Sequence, residues 1–333
     1  MSSELAVIQS TGAGAKPLHL PSLVASAGDA AAFAWEEFFS AGIRNPHTRR
    51  AYAHAVRRFL AWAEAGGYEL ARITPGQVGH YLDQLGGSIP TRKQHLAALR
   101  GFFDALVLRH VVILNPALSV RCERYAVIEG KTPEIAIEQA RTLLRSIRVS
   151  YDTNAGPLLY PVGLRDRAVI GILIYTAARI GAVASLKRGS LTHDGMQWTL
   201  RFAEKGGKSR EIPLRHDLEA WLLAWLDAAG LRDAPKDAPL FRSAIGKTRQ
   251  LAATAATAGD LGRMVKRRMK DAGLPERLSP HSFRVTAITD LLNQGVPLED
   301  VQHLAGHSDA RTTRLYDRRQ KVLTRHVVER ISV

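Results

Sequence analysis

Apolar residues recur at helical spacing through the first 110 residues, and this pattern limits the fold more than any other feature of the chain. One clear stripe consists of Tyr52, Val56, Phe59, Leu60 and Ala63. Asn45 before Pro46 predicts a helix cap followed by proline at the first helical position. No convincing strand precedes residue 110. Residues 28–117 are therefore predicted to form an all-α domain, preceded by a poorly ordered arm at residues 1–27.

The rest of the chain is longer and mixes helical and strand patterns. Residues 118–133 are predicted to be a linker and residues 134–333 a second domain. Its predicted helices span 134–147, 165–178, 179–187, 217–229, 260–272, 280–294 and 298–304. Alternating apolar residues at 198–202 and 212–214, on either side of a turn at 205–208, predict a β-hairpin. The Ala/Thr-rich run 252–258 is interpreted as a loop. The predicted fold class is thus mainly α with a small β-hairpin or sheet.

The charge balance narrows the partner. Lys and Arg number 46 against 31 Asp and Glu among 333 residues, which gives a net charge of +15. A chain this basic usually meets a polyanion, and nucleic acid is the first candidate. An anionic membrane surface and acidic partners remain open at this point.

Composition also excludes several classes of protein. The single cysteine, Cys122, excludes an internal disulfide and a cysteine-based zinc site. No apolar stretch is long enough to span a bilayer, and the N-terminus lacks the pattern of a secretion signal. A cytoplasmic location is expected.

Basic residues cluster on helices with few acidic neighbours. Such runs are usually solvated outer faces of a helix. Helices whose charged residues are almost all basic nevertheless favour contact with phosphates. The residues predicted to bind DNA are Arg49, Arg50, Arg57, Arg92, Lys93, Arg100, Lys266 and Arg267.

Three separated motifs near the C-terminus carry candidate chemistry. Ser279-Pro280 predicts a helix start that places His281 and Arg284 on one face, next to backbone N–H groups that favour an anion. Gly306 predicts a helix end with His307 at the corner and Ser308 as the next cap. Tyr316 follows nine residues after His307, among arginines. Each motif alone is more often an inert surface or packing feature, although the surroundings of Tyr316 favour phosphate contact over burial.

Two further cations lie upstream. Arg179 interrupts an apolar stretch, and a desolvated guanidinium needs a partner, so it is interpreted either as half of a buried ion pair or as pointing into an anion pocket. Lys205 stands at the predicted hairpin turn and by itself would be an ordinary turn lysine.

Taken in order, these elements resemble the tyrosine recombinase (phage integrase) family. The family pattern is an arginine in a helix-turn segment, a lysine on a hairpin, HxxR, a Gly-His corner and a tyrosine nine residues later; here these are Arg179, Lys205, His281 with Arg284, His307 and Tyr316. The resemblance covers roughly residues 30–325. It implies a SAM-like core-binding domain followed by an α+β catalytic domain. Many members carry an acid where this chain has Ala182, which leaves the support of Arg179 open.

The resemblance also implies a mechanism. Tyr316 would attack the scissile phosphate and form a 3′-phosphotyrosyl bond, which conserves the bond energy without ATP. His281 would help the tyrosine lose its proton, and Arg179 and Arg284 would hold the non-bridging oxygens. Lys205 would protonate the leaving oxygen, and His307 would bond to the phosphate or pack beside it. No metal or other cofactor is required.

The function predicted from this resemblance is site-specific recombination of double-stranded DNA by a homotetramer. Integration, excision and multimer resolution are equally open as its biological role. The alternatives are a catalytically silent DNA-binding regulator and a type IB topoisomerase-like enzyme. No nucleotide or membrane partner is expected; a phosphate-binding loop ending at Lys208-Ser209 would need glycine where the chain has Phe202.

Overall fold

The computed structural model of the protein describes residues 19–125, 130, 132–154, 156–203, 209–246, 248 and 250–317. The chain divides into two compact units, with the boundary at residues 126–127. This boundary falls inside the stretch 118–133 that the sequence predicts as a linker. Of the predicted arm, residues 1–18 lie outside the described residues.

The first unit is all helical. Its helices are α1 (Ser22–Ser26), α2 (Asp29–Glu37), α3 (Pro46–Ala65), α4 (Pro75–Gln84) and α5 (Ile89–Leu108), and a π-helical turn at Phe38–Gly42 follows α2. Helix α1 corrects the prediction of a poorly ordered arm up to residue 27, because Leu23 and Val24 are buried in the core of this unit. The helix has only five residues, and two adjacent apolar residues give too weak a periodic signal to predict it.

Helix α3 begins where the sequence places its cap. The Asn45 side chain accepts hydrogen bonds from the backbone N–H groups of His47 at 2.9 Å and Thr48 at 3.3 Å. Pro46 occupies the first helical position, where its missing N–H costs nothing. The helix packs against α5, so the apolar stripe on α3 meets a second stripe that includes Phe102 and Phe103. Burial of these rings contributes to the stability of the unit.

The second unit combines eight helices with three small antiparallel sheets within the described residues. The helices are α6 (Ile137–Ser146), α7 (Pro161–Thr176), α8 (Ile180–Ala184), α9 (His216–Ala228), α10 (Ala258–Asp271), α11 (Pro280–Asn293), α12 (Leu298–Ala305) and α13 (Ala310–Arg314). The strands are β1 (Ser150–Thr153), β2 (Gly156–Leu159), β3 (Leu191–His193), β4 (Trp198–Ala203), β5 (Ser209–Pro213), β6 (Arg242–Ala244) and β7 (Leu251–Ala255).

Helix α7 lies at the centre of the second unit. It is buried on nearly all sides and packs against α6, α9, α10 and α11. A helix that is apolar around its whole circumference must be enclosed in this way. It starts four residues before the predicted helix 165–178, because Pro161 occupies the first helical position. The prediction had not used this proline as a start signal. It ends at Thr176, next to the residues that form the candidate site.

The sheets confirm one prediction and correct another. Strands β4 and β5 form the predicted hairpin, with Leu200 opposite Ile212, and β3 adds an unpredicted third strand. The run 252–258 is not a loop, because β7 pairs with β6 over part of it. The alanines and threonines of this run show no alternation of apolar and polar residues, so the strand could not be recognised from the sequence. Pairing with β6 determines its structure. The hairpin of β1 and β2 was also missed.

A buried carboxylate joins three elements of the second unit. Asp166 on α7 is fully buried and accepts hydrogen bonds from Arg165 at 2.7 Å and from Arg268 on α10 at 3.0 Å. Arg165 also donates to the backbone oxygen of Arg242 on β6 at 2.8 Å. Each charge is therefore paired, as buried charges must be.

Among the described residues, no helix combines the length and the apolar character needed to cross a membrane.

Candidate active site

The start of α11 presents the predicted His281 and Arg284. Pro280 takes the first helical position, and the N–H of Ser279 donates to Ser282 Oγ at 3.1 Å. Ser282 and Phe283 are buried and fix the helix against the core. His281 remains accessible at the rim of the site, whereas Arg284 is only 1% exposed. One helix end therefore offers both an accessible imidazole and an enclosed guanidinium.

Two nitrogen donors of the buried Arg284 guanidinium are available for a ligand. Its Nη1 donates to the backbone oxygen of Ala177, but the buried Nε and Nη2 have no hydrogen-bond partner of normal geometry among the described residues. Burial and the nearby Arg179 lower the pKa of Arg284 to about 10, while the adjacent Tyr316 opposes this shift. Buried unpaired donors are costly, so a guanidinium held in this way favours an anionic ligand.

Arg179 follows a left-handed turn. Ala177, with φ of 49°, ends α7 in a conformation unusual for a residue other than glycine, and Arg179 then caps the short α8. The Arg179 side chain is exposed and forms no hydrogen bond or ion pair with any described residue. The buried ion pair considered for Arg179 is therefore wrong, since the turn carries the side chain out of the apolar core. Its charge lowers the pKa of His281, of Arg284 and of His307, so the guanidinium lies near all three.

His307 occupies the predicted corner. Gly306, with φ of 62°, closes α12 in the left-handed conformation, and the His307 N–H donates to the backbone oxygen of Gln302 at 3.1 Å. The cap of the following α13 is Asp309 rather than the predicted Ser308, because the Asp309 carboxylate accepts from the Arg311 N–H at 2.8 Å. The imidazole is buried, with its Nδ1 2.9 Å from Thr313 Oγ1 and its Nε2 without a partner among the described residues.

The electrostatics of His307 follow from its surroundings. Burial and the positive charges of Arg284 and Arg179 lower its pKa to about 3. The ring is therefore neutral at physiological pH and carries one N–H. The pKa of His281 is also lowered, first by the protein that covers its ring and then by the same two arginines. Both histidines can act as neutral hydrogen-bonding groups.

Tyr316 completes the cluster. The residue is only 9% exposed and packs on α11 and α12, which corrects the expectation that phosphate contact would be favoured over burial. The hydroxyl oxygen nevertheless lies 3.3 Å from His281 Nε2. The ring stacks on His307 with centroids 5.7 Å apart, and Thr289 Oγ1 donates to the Tyr316 backbone oxygen at 3.3 Å. The ring is thus fixed while its reactive oxygen faces the imidazole.

One buried arginine near the cluster was missed by sequence reasoning. Arg210 on β5 donates to the backbone oxygens of Leu304 and of Thr176, the latter at 3.4 Å, and its charge contributes to the low pKa of His307. It therefore ties the hairpin to the ends of α7 and α12. An arginine at an inward-facing position of an alternating strand, opposite Phe202, was the available signal. Lys205 lies outside the described residues, between β4 and β5.

The predicted DNA-binding residues differ in their availability. Several donate to backbone oxygens of their own unit: Arg49 to Ile43, Arg57 to His19, Arg100 to Ala117 and Val120, and Lys266 to Glu276 and Leu278. Arg92 pairs with Glu123, and Arg267 lies 3.9 Å from Asp166. Of the eight, only Arg50 and Lys93 have an exposed side chain with no hydrogen bond or ion pair to a described residue. These two are the cations most open to a phosphate.

Family models match both units. The model described as phage integrase family matches residues 145–322, and the model of the phage integrase N-terminal SAM-like domain matches residues 35–110. The chain belongs to the phage integrase family. This confirms the family predicted from the motif order and the predicted fold class, a SAM-like helical domain followed by a mainly helical catalytic domain.

Relatives and solved structures agree. The chain is 30% identical over 280 residues to tyrosine recombinase XerC of Pelobacter propionicus, covering 82% of this chain and 84% of that one. It is 26% identical to tyrosine recombinase XerD of Chlorobaculum tepidum over 280 residues, 81% of this chain and 85% of that one. The chain is a tyrosine-type site-specific DNA recombinase, an enzyme that cleaves and transfers DNA strands.

Two solved structures share the fold. The pre-cleavage complex of XerH site-specific recombinase with its difH substrate superposes with a TM-score of 0.62 at 23% identity, over 84% of this chain and 77% of that chain. A lambda integrase dimer bound to a COC′ core site gives a TM-score of 0.61 at 17% identity, over 87% and 96%.

Proposed function

We propose that Tyr316 is the nucleophile of this recombinase and that His281, Arg284, Arg179, His307 and Lys205 serve the same phosphate. The proposal is based on the position of the Tyr316 hydroxyl, which lies 3.3 Å from His281 Nε2 and close to Arg284, whose Nε and Nη2 have no partner of normal geometry among the described residues. A hydroxyl next to a neutral base, with enclosed cationic donors at hand, is the arrangement that nucleophilic attack on a phosphodiester requires.

The reaction balances within these groups. The Tyr316 oxygen forms a bond to phosphorus, and its proton passes to His281. The bond from phosphorus to the 5′ oxygen breaks, and Lys205 gives that oxygen a proton. The product is a 3′-phosphotyrosyl link whose energy is retained, so attack by a 5′ hydroxyl of the same or another strand reverses the step.

The lowered pKa of His281 suits the role of base. The imidazole is neutral above its pKa, so a lowered pKa keeps it ready to accept a proton at neutral pH and somewhat below. Arg284 and Arg179 would bind the non-bridging oxygens, where negative charge grows in the transition state. The exposed position of Arg179 leaves it able to reach a phosphate without first breaking an ion pair.

Strand exchange between two DNA sites requires more than one copy of the chain. We propose a homotetramer on two synapsed sites, supported by membership of the phage integrase family and by the lambda integrase complex, in which a dimer is bound to one core site. Sedimentation of the chain with duplex DNA should show a species with four protomers, and a complex that never exceeds two protomers would refute the tetramer.

We place the enzyme in the cytoplasm, a reducing compartment that suits the unpaired Cys122.

Covalent capture tests the proposed chemistry without knowledge of the target sequence. The chain is incubated with randomly nicked fragments of the host genome, denatured and digested, and the modified peptide is identified by mass spectrometry. A 3′-linked nucleotide on Tyr316 is expected, and sequencing of the captured DNA gives the site. Absence of any adduct would support a silent regulator. Relaxation of every supercoiled circle, regardless of sequence, would support a topoisomerase.

Of the eight predicted DNA-binding residues, the two most available cations should act on affinity alone. Arg50→Ala and Lys93→Ala should each weaken binding and lower the slope of log K against log salt by roughly one. Fluorescence anisotropy with a non-specific duplex measures both quantities. Arg72→Ala is the control, since Arg72 is exposed in the same unit but paired with Glu69 at 3.1 Å. Unchanged slopes in both variants would show that this face does not meet DNA.

A further inference from the structure

A single side-chain hydrogen bond orients the imidazole of His307. Its Nδ1 lies 2.9 Å from the hydroxyl of Thr313, which is fully buried. The other nitrogen, Nε2, is also buried and has no partner among the described residues. The ring stacks against Tyr316, so Nε2 belongs to the cluster around the reactive hydroxyl.

The tautomer of His307 decides whether that nitrogen is useful. A neutral imidazole carries one N–H, and a phosphate oxygen accepts hydrogen bonds but donates none. Nε2 helps to bind the phosphate only when it holds the proton, and this requires Nδ1 to be an acceptor. Besides burial, which is the largest cause, the charged groups near the ring that lower its pKa are Arg284, Arg179 and Arg210, with a smaller contribution from His281, which is itself neutral here. The positive charges of the three arginines favour the opposite tautomer, with a lone pair at Nε2.

Thr313 can oppose this preference. Its hydroxyl has one proton to donate, and among the described residues it has no hydrogen-bond partner other than His307. Donation to Nδ1 therefore satisfies the buried hydroxyl and leaves the proton of the ring on Nε2. We propose that Thr313 is a positioning residue that fixes the tautomer of His307, so that Nε2 donates to the scissile phosphate. This inference rests on the role of the cluster proposed above.

The same residue also connects His307 to the nucleophile. The backbone oxygen of Thr313 accepts a hydrogen bond from the Tyr316 N–H at 3.0 Å. Thr313 thus holds the histidine through its side chain and the tyrosine through its main chain. The nine-residue step from His307 to Tyr316 contains this shared anchor, six residues after the histidine and three before the tyrosine.

Three variants isolate the hydroxyl. Thr313→Val removes it with nearly the same volume, Thr313→Ser keeps it, and Thr312→Val alters the neighbouring threonine, which is only half-buried and has no side-chain hydrogen bond to a described residue. Single-turnover cleavage of the captured duplex at saturating protein should fall about 10- to 100-fold in Thr313→Val, the same range as the loss seen when the hydrogen-bond partner that orients a metal-ligating histidine is removed. Thr313→Ser and Thr312→Val should remain within about threefold of wild type, and DNA affinity should change little in all three.

The tautomer itself is read without DNA or activity. Long-range ¹⁵N–¹H correlation spectra of histidine-labelled protein distinguish a protonated Nε2 from a protonated Nδ1, and the signals lost in His307→Gln assign the ring. Wild type and Thr313→Ser should show protonated Nε2, and Thr313→Val should shift toward protonated Nδ1. Protonated Nδ1 in wild type, or a wild-type cleavage rate in folded Thr313→Val, would overturn the inference. Wild-type protein that shows the expected tautomer but forms no adduct would refute the proposed function instead.

Discussion

We expect Tyr316→Phe to abolish the covalent DNA adduct and to leave DNA affinity within about twofold of wild type. The substitution removes one oxygen from a ring that is almost enclosed by α11, α12 and His307, so the packing that holds the segment persists. In the proposed mechanism that oxygen is the attacking atom, and no other described group in the cluster could replace it at the same place. Adduct formation on a nicked duplex, followed on a denaturing gel, should fall below detection, and affinity is measured by anisotropy.

A second tyrosine of the same unit provides the control. Tyr175 is partly buried on α7 and its hydroxyl donates to Asp217 at 2.9 Å, outside the cluster. Tyr175→Phe likewise removes one phenolic oxygen and should keep the adduct. An adduct of normal yield from Tyr316→Phe would contradict the assignment of the nucleophile, and its loss from Tyr175→Phe as well would point to a general effect on folding.

Local signals in the sequence were sufficient for the elements that carry them. The Asn45 cap, the proline that starts α11 and the Gly306 corner each depend on the backbone preference of one or two residues, and the structure shows all three. The five described members of the motif series come from three distant stretches of the chain. Their order predicted the family, and no local pattern could show that the Tyr316 oxygen would face His281.

What the sequence could not give depends on partners distant in the chain. Strand β7 forms because β6 is available to pair with it, although its residues have no strand alternation. Arg179 lies in an apolar stretch, yet the left-handed turn at Ala177 directs it outward. Arg210 and Thr313 act through contacts with backbone or side chains that only the folded chain brings near. Each error has the same origin, since periodicity reports which residues are buried but not what they meet.

Arg284 shows a conflict between stability and chemistry. It is almost completely buried, and two of its donors have no hydrogen-bond partner of normal geometry among the described residues. Its pKa is lowered to about 10 because burial and Arg179 disfavour its charge more than Tyr316 favours it. The folded protein without DNA therefore carries an unfavourable charge at every pH below that value. A phosphate would supply the missing acceptors, so the cost in the free protein becomes an advantage in the complex.

Arg284→Met separates these two effects. Cleavage should fall by at least about 10²- to 10³-fold, the loss expected when a donor to the developing charge is removed. The melting temperature should equal or exceed that of wild type, because an apolar side chain of similar length replaces an uncompensated charge. Calorimetry and single-turnover cleavage measure the two quantities on the same preparations.

Arg165→Met is the matched control for the stability effect. Arg165 is equally buried in the same unit, but its guanidinium is paired with Asp166, so its removal weakens a satisfied ion pair and should lower the melting temperature. Shifts of the melting temperature in opposite directions would show that Arg284 serves the bound phosphate at a cost in stability, whereas Arg165 stabilises the folded protein. A wild-type cleavage rate in Arg284→Met, or a drop in melting temperature as large as that of Arg165→Met, would show that Arg284 also belongs to the scaffold.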